Sequence, residues 1–329
     1  MKQASPLPDA NAAAGYIAIR LSSLCLDTLT DFDLYFRPAA SRPLVLYREK
    51  GLPFNEECHQ RLTANAIEQL FIKAEDGQQY RRYVEEHLGT ILADPQLKTD
   101  EKSSILYASA QGLIKDVLDD PRSGDLFSRT GNMVSNTVNF VFGQKDAFES
   151  LLKVTSYDYY TYTHCVNVFM FSIALSQSLG YSADNVQALG NGALLHDVGK
   201  CMIDPDIVNC RGKLSPEQWN VMRLHPVHGH TLLKHQGVRN SIVLDVTRHH
   251  HEKMTGGGYP DGLSASEISN EARIVTIADI FDALTTRRSY KAALGSFSAL
   301  KMMREEMAKD LDPEIFRAFV SLMGKQVAG

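Results

Sequence analysis

The segment GNGALLHDVGK, residues 190–200, closes a run of helix-forming residues on a histidine and an aspartate side by side. Successive helical residues point about 100 degrees apart, because the α-helix turns once in 3.6 residues. His196 and Asp197 can therefore approach one point from two directions, and a carboxylate so placed can bridge two ions. The pair is the most informative dipeptide in the chain, and it directs attention to where further ligands would come from.

Nine of the eleven histidines fall between residues 164 and 251. Taken singly, each is most simply a cap or a surface group. As a set they sit beside carboxylates and at helix ends, where side chains from separate helices can converge. His164 opens the apolar run HCVNVFMFSIALSQSLG, and its register with Val168, Phe171 and Leu175 turns it inward. His225 is expected to end the helix that starts at Pro216, with Pro226 fixing the chain direction. His250 and His251 end SIVLDVTRHH, and Asp279 lies in ARIVTIADIFDAL among Ile277, Ile280 and Phe281, which call for burial. An unpaired aspartate there would cost several kcal/mol in lost hydration, so ligation is the simplest account of it.

The order H, HD, H, HH, D is thus a list of candidate ligands from five helices. His164, His196 and Asp279 could hold one ion and His225, His250 and His251 a second, with Asp197 shared between them. Imidazole and carboxylate without thiolate suit iron, manganese, nickel or zinc rather than a structural cysteine site. Two such ions about 3.5 to 4 Å apart can clamp the attacking and leaving oxygens of a phosphoester and activate a bridging water.

Around this set the chain divides into two halves of different character. Short β-rich runs, YIAIRL, FDLYF and PLVLY, alternate with turn residues over residues 16–50; NEECHQRLTANAIEQLFI and YRRYVEEHL then return to helical spacing. From about Lys98 onward the strands vanish. Ser182, the capping box from Ser215 to Gln218 and Asp312-Pro313 mark helix starts. The expected fold class is α+β: a small mixed α/β module over residues 1–98, regulatory or partner-binding, and an all-α helical bundle over 99–329. His59 and His87 read as solvated surface residues. The alanine-rich first fifteen residues read as a tail without packed structure.

Composition excludes several classes. With 329 residues, 44% apolar and 22% charged, the chain can bury a proper core, and a net charge of −5 argues against a general DNA-binding or anionic-membrane surface. Any basic site must be local. Cys25, Cys58, Cys165, Cys201 and Cys210 are odd in number and form no CxxC pair, which suits reduced core thiols in the cytoplasm. The apolar run VNVFMFSIAL is half the length a bilayer demands, and the N-terminus lacks an apolar signal core. The stretch LFSRTGNMVSNTVNFVFG, apolar on one side, could pack across a homodimer as easily as within one chain.

HDVGK, a histidine 29 residues beyond it, HHEKMTGGGYP, IADIFDALT and RRSYK occur in this order. Together they resemble the HD-GYP family, helical metal-dependent phosphodiesterases that open the bacterial second messenger cyclic di-GMP. The resemblance covers roughly residues 125 to 329. It implies hydrolysis to pGpG or GMP by a hydroxide bridged between two divalent ions, iron first and manganese second. The ligands it implies are His164, His196, Asp197, His225, His250, His251 and Asp279. Lys200 would stand beside the hydroxide or the substrate phosphate. Arg288 and Lys291 match family positions that hold the substrate's phosphates and guanine edges, and Tyr259-Pro260 would form a firm lip at the pocket. Glu252 would orient a ligand or cap the loop, Gly256 to Gly258 would allow positive φ, and His249, His228, His230 and His235 would lie outside the ligand set. The N-terminal module or the GYP loop could receive a signalling protein.

Two positions depart from the family pattern. Members with a third metal carry a glutamate four residues before the first histidine, where this chain has Tyr160, so two metals are expected and Tyr160 should lie over the cavity. The loop carries Thr255 in place of an aspartate, a change that could loosen it. Two alternatives therefore stay open: a cyclic di-GMP receptor with little or no turnover, and an HD-type hydrolase of another nucleotide.

Overall fold

The computed structural model describes residues 15–39, 42–155, 160–210, 212–287 and 293–324. Residues 1–14, part of the expected tail, and Arg288 and Lys291 lie outside that range. The described chain forms two compact units that divide after Gly112, within one helix.

The first unit contains β1 (Tyr16–Arg20), β2 (Thr28–Leu29), β3 (Leu34–Phe36), β4 (Val45–Arg48), β5 (Pro53–Phe54), α1 (Glu56–Ala64), β6 (Gln69–Lys73) and α2 (Gly77–Ala93). Its antiparallel sheet runs β1-β6-β3-β4, with Ile19 opposite Leu70 and Tyr35 opposite Phe71. The strand β6 corrects the sequence reading, which carried helical spacing through NEECHQRLTANAIEQLFI. The helix starts as expected on Asn55, whose side chain accepts from the Cys58 amide, but it stops at Ala64. Asn65 caps it and Ala66 turns the chain with φ +54°. Leu70, Phe71 and Ile72 are then buried in succession, a short apolar run whose periodicity does not separate strand from helix. His59 and His87 are half-buried rather than fully solvated; their rings lie edge-on to Phe54 and Tyr83.

The helix α3 (Thr99–Asp119) leads into the second unit, which is all helical: α4 (Leu126–Gly143), α5 (Ala147–Val154), α6 (Thr161–Ser178), α7 (Ala183–Leu195), a 3-10 turn (Val198–Met202), α8 (Pro205–Val208), α9 (Pro216–Met222), α10 (His225–His235), α11 (Ser241–His249), α12 (Asn270–Thr285), α13 (Ser296–Glu306) and α14 (Pro313–Gly324). The chain is thus α+β, a small sheet module followed by a helical bundle. Ser182, Ser215 and Ser269 cap α7, α9 and α12 through their side chains.

The bundle is organised around α6, in which every residue from Thr163 to Ser176 is buried. It packs against α4, α5, α7, α12 and α14, so it shows no polar face, as expected of a helix at the centre of a unit. The apolar side of α4 packs on α6 and α7 of the same chain. Phe171 of α6, Phe281 of α12 and Phe319 of α14 form an edge-to-face triad with centroids 5.0 to 6.2 Å apart. Cys25, Cys58 and Cys165 are buried as expected, whereas Cys201 and Cys210 are only partly so, and all five are free thiols. Among the described residues no helix is long and apolar enough to cross a membrane.

Removing the ring of Phe319, which is fully buried, leaves a cavity beside two other rings. Phe319→Ala should cost about 3 to 5 kcal/mol of stability, read from denaturant unfolding of the two proteins.

Candidate metal centre

The bundle gathers the residues singled out in the sequence into one buried cluster. His164 comes from the first turn of α6, His196 caps the C-terminus of α7, Asp197 precedes the 3-10 turn, and Asp279 lies on α12. His250 and His251 follow α11. His225 departs from expectation: α9 ends at Met222, and His225 is the first residue of α10. Pro226 explains the difference, since a proline without an N–H suits the first turn of a helix and does not prolong the preceding one.

The ligand atoms fall into two triads, His164 with His196 and Asp279, and His225 with His250 and His251; within each, the atoms lie no more than 4.8 Å apart. Asp197 faces both. Its Oδ2 stands 3.6 Å from Nε2 of His164 and 3.4 Å from Nε2 of His196, while Oδ1 stands 3.1 Å from Nε2 of His225. Lys200, in the 3-10 turn, donates to Oδ2 at 2.5 Å.

The outer nitrogens of the histidines determine which way the lone pairs point. Nδ1 of His196 lies 2.7 Å from the carbonyl oxygen of Ala193, Nδ1 of His225 2.8 Å from that of Met222, and Nδ1 of His250 3.1 Å from that of Thr247. Nδ1 of His164 lies 2.6 Å from Oδ2 of Asp282. Carbonyls and carboxylates only accept, so each Nδ1 carries the proton and each Nε2 turns a lone pair into the cluster. Nε2 of His196 and Oδ1 of Asp197 are buried and make no hydrogen bond, and the Nε2 atoms of His225 and His250 stand 3.2 Å apart. Buried acceptors left unmatched in this way are costly, and divalent cations are the groups that satisfy them together. The donor set therefore fits two such ions.

Electrostatics supports the same protonation states. Burial alone would raise the Asp197 carboxyl, but Lys200, His196 and His225 hold it well below the usual carboxylate range. Asp279, also buried, is held low by His164 and His251. Burial, with help from His251, His196 and His225, pushes His250 well below the ordinary imidazole value. Desolvation and His225 bring His251 to about 3 against the pull of Asp279. Ionised acids and neutral imidazoles are the forms that ligate.

Close packing fixes this geometry. A Cβ on Gly199 would come within 2.0 Å of the His225 carbonyl oxygen and 2.4 Å of the Gly229 amide nitrogen, so only glycine lets the HDVGK turn lie against α10. In the GYP loop Gly256 has φ +77°, as expected, but Gly258 has no positive φ; it is required because a Cβ there would meet the backbone of Glu252 and Lys253 at 2.5 and 2.6 Å. Glu252 caps the loop, accepting from the amides of Asp261, Gly262 and Leu263 at 2.7, 3.0 and 3.1 Å. His249 lies outside the cluster, bridging Asp245 on α11 and Asp261 in the loop, and Arg248 adds a bidentate pair to Asp261. His228 and His230 are half-buried on α10, and His235 is exposed there.

The two departures from the family pattern have local explanations. Thr255 is not loose: its hydroxyl donates to Asp310 at 2.7 Å, Lys253 pairs with the same carboxylate at 2.7 Å, and the Met254 amide donates to the Asp310 carbonyl. Tyr160 does not close over the cavity; it is 58% exposed, and its ring stacks on Tyr162. Sequence reasoning missed three groups. Asp282, which anchors His164 and also accepts from Asn167 and Thr286, lies three residues after Asp279 within IADIFDALT, where i, i+3 spacing could have revealed it. Asp310, 55 residues beyond Thr255, gave no local signal. Nor did Cys165, whose sulfur lies within 4.8 Å of ligand atoms of His196 and Asp197; its thiol is kept protonated by burial and by Asp197. Replacing Glu252 with alanine should free three loop amides, and hydrogen exchange at Asp261, Gly262 and Leu263 should accelerate about tenfold or more.

Comparison with known proteins agrees with this geometry. A model of the HD domain matches residues 146–315. The cyclic di-GMP phosphodiesterase PA4108 of Pseudomonas aeruginosa is 33% identical over 224 residues, 68% of this chain and 54% of that protein. The 3'3'-cGAMP-specific phosphodiesterase 3 of Vibrio cholerae is 35% identical over 159 residues, 48% of this chain and 34% of that protein. The chain thus spans about half or less of the length of these relatives. Bd1817, an HDG"Y"P protein from Bdellovibrio bacteriovorus, shares the fold with a TM-score of 0.65 at 23% identity, over 94% of this chain and 99% of that one. With its HDVGK turn and GYP loop framing the histidine and aspartate cluster, the chain belongs to the HD domain family and to its HD-GYP group.

Proposed function

We propose that this chain hydrolyses a phosphodiester bond of a cyclic dinucleotide, cyclic di-GMP to pGpG or GMP, at two divalent ions, iron before manganese. The observation that carries this reading is the inward convergence of four Nε2 atoms, three of them within 3.6 Å of a carboxylate that faces both triads. His164, His196 and Asp279 would hold one ion, His225, His250 and His251 the other, and Asp197 both. Ions held there would supply charge neutralisation for the phosphate and the acidity to make a water a nucleophile at neutral pH.

The protein's own groups order the rest. Lys200 is half-buried and donates to Asp197, so its ammonium stands between that carboxylate and solvent, where an arriving phosphate would meet it. Tyr259 walls the solvent side, its ring 4.7 Å from that of His251. Arg288 and Lys291 would add phosphate and guanine contacts. Relatives named for cyclic di-GMP and for 3'3'-cGAMP support a cyclic dinucleotide as substrate, and free thiols support work in the cytoplasm. The sheet-containing unit would serve as the regulatory or partner-binding part.

Protein loaded with iron or manganese under reducing conditions should convert cyclic di-GMP to pGpG or GMP; a substrate panel including cyclic GMP-AMP ranks the alternatives. Absence of cleavage with both metals confirmed present would count against the reading. His196→Ala should lose at least one of two metals by elemental analysis, because it removes one of the three donors of a triad, and retention of both would refute the assignment. Asp282→Ala should leave His164 in place but unfixed in orientation and tautomer, weakening metal affinity about 10- to 100-fold in a competitive chelator titration.

A further inference from the structure

The cluster is not equally closed on all sides. The side chains of His164, His196, Asp197 and His225 are at most 2% exposed, whereas His251 is 25%, Lys200 15% and Asp279 11% exposed. The mouth therefore lies on the side of His251, Lys200 and Asp279. Tyr259 stands there, with its ring tilted 30° to that of His251.

Two residues that neither the motifs nor the metal cluster account for extend this wall outward. The Arg223 guanidinium lies over the Tyr259 ring, 4.7 Å from its centroid. Trp219, one turn earlier in the middle of α9, meets the same ring nearly edge-on at 6.5 Å and is 47% exposed. Among the described residues no carboxylate pairs with Arg223. An arginine held over a ring by a cation–π contact can still turn N–H donors outward, and an exposed indole offers a stacking face.

We propose that Trp219, Arg223 and Tyr259 form a base-recognition ledge at the mouth of the metal centre, where a purine of the cyclic dinucleotide stacks on Trp219 and Arg223 reads its edge. This rests on the cyclic-dinucleotide reading above and adds its specificity. A guanine presents two acceptors, O6 and N7, that match the two forward donors of a guanidinium, whereas adenine replaces O6 with a donor. The ledge therefore selects guanine over adenine. Loss of one base stack on an aromatic side chain is expected to weaken binding about tenfold or more.

Trp219 is the only tryptophan in the chain, so its emission reports on the ledge directly. Metal-loaded protein mixed rapidly with cyclic di-GMP should show a saturable change in emission before turnover, with a lower midpoint than for cyclic di-AMP. Arg223→Ala should raise the cyclic di-GMP midpoint and KM about tenfold and cut the preference over cyclic di-AMP by a similar factor, with a much smaller effect on kcat. Arg223→Lys, which keeps the charge but not the fork, should reduce the preference as well and guards against a folding defect in the first variant. Emission that saturates without hydrolysis supports the ledge and defeats the phosphodiesterase reading. Hydrolysis that saturates with emission unmoved, or a guanine preference unchanged in both variants, overturns the ledge and leaves hydrolysis standing. No emission change and no hydrolysis overturns both.

Discussion

The site depends on one constraint: a buried imidazole can turn a lone pair inward only if its other nitrogen delivers its proton to something that does not move. Helix backbone does this for three histidines. His196, His225 and His250 each give Nδ1–H to a carbonyl three residues earlier in the chain, at or near a helix end where that carbonyl is unclaimed. His164 sits inside a helix whose carbonyls are taken up by the helix itself, and Asp282 from α12 supplies the acceptor instead. Position within a helix thus decides which histidines orient themselves and which need a partner.

The same economy governs the turns. The HDVGK turn can press on α10 only because Gly199 has no Cβ, and the GYP loop folds back on its own start only because Gly258 has none. Glu252 then ties off the loop by collecting three amides that would otherwise be unpaired. The glycines and the acid of HHE and GYP are therefore chiefly architectural. They hold His250, His251 and Tyr259 where the mouth needs them.

Much of this was legible in the sequence because the signals are local. Helix caps, the division into a strand-bearing and a helical half, and the clustering of imidazoles beside acids all follow from short-range spacing. Where the reading went astray, short-range information was ambiguous. Leu70 to Ile72 fit either a helix or a strand until pairing with β1 and β3 decides, and Pro226 marks an end or a beginning equally well. Asp310 was out of reach because only the folded chain brings it to Thr255. Tyr160 was expected over the cavity, but Tyr162 offers its ring a stacking partner in the exposed segment leading into α6.

The grip of Asp310 on the GYP loop has a wider implication. Lys253, Met254 and Thr255, three consecutive residues, all fasten on this single position between α13 and α14. The carboxyl-terminal helices are thereby mechanically joined to the histidine pair at 250 and 251, although they contribute no candidate ligand themselves. Displacing α13 or α14 would have to break or drag these three contacts, so the carboxyl-terminal helices limit how far the loop beside the histidine pair can shift.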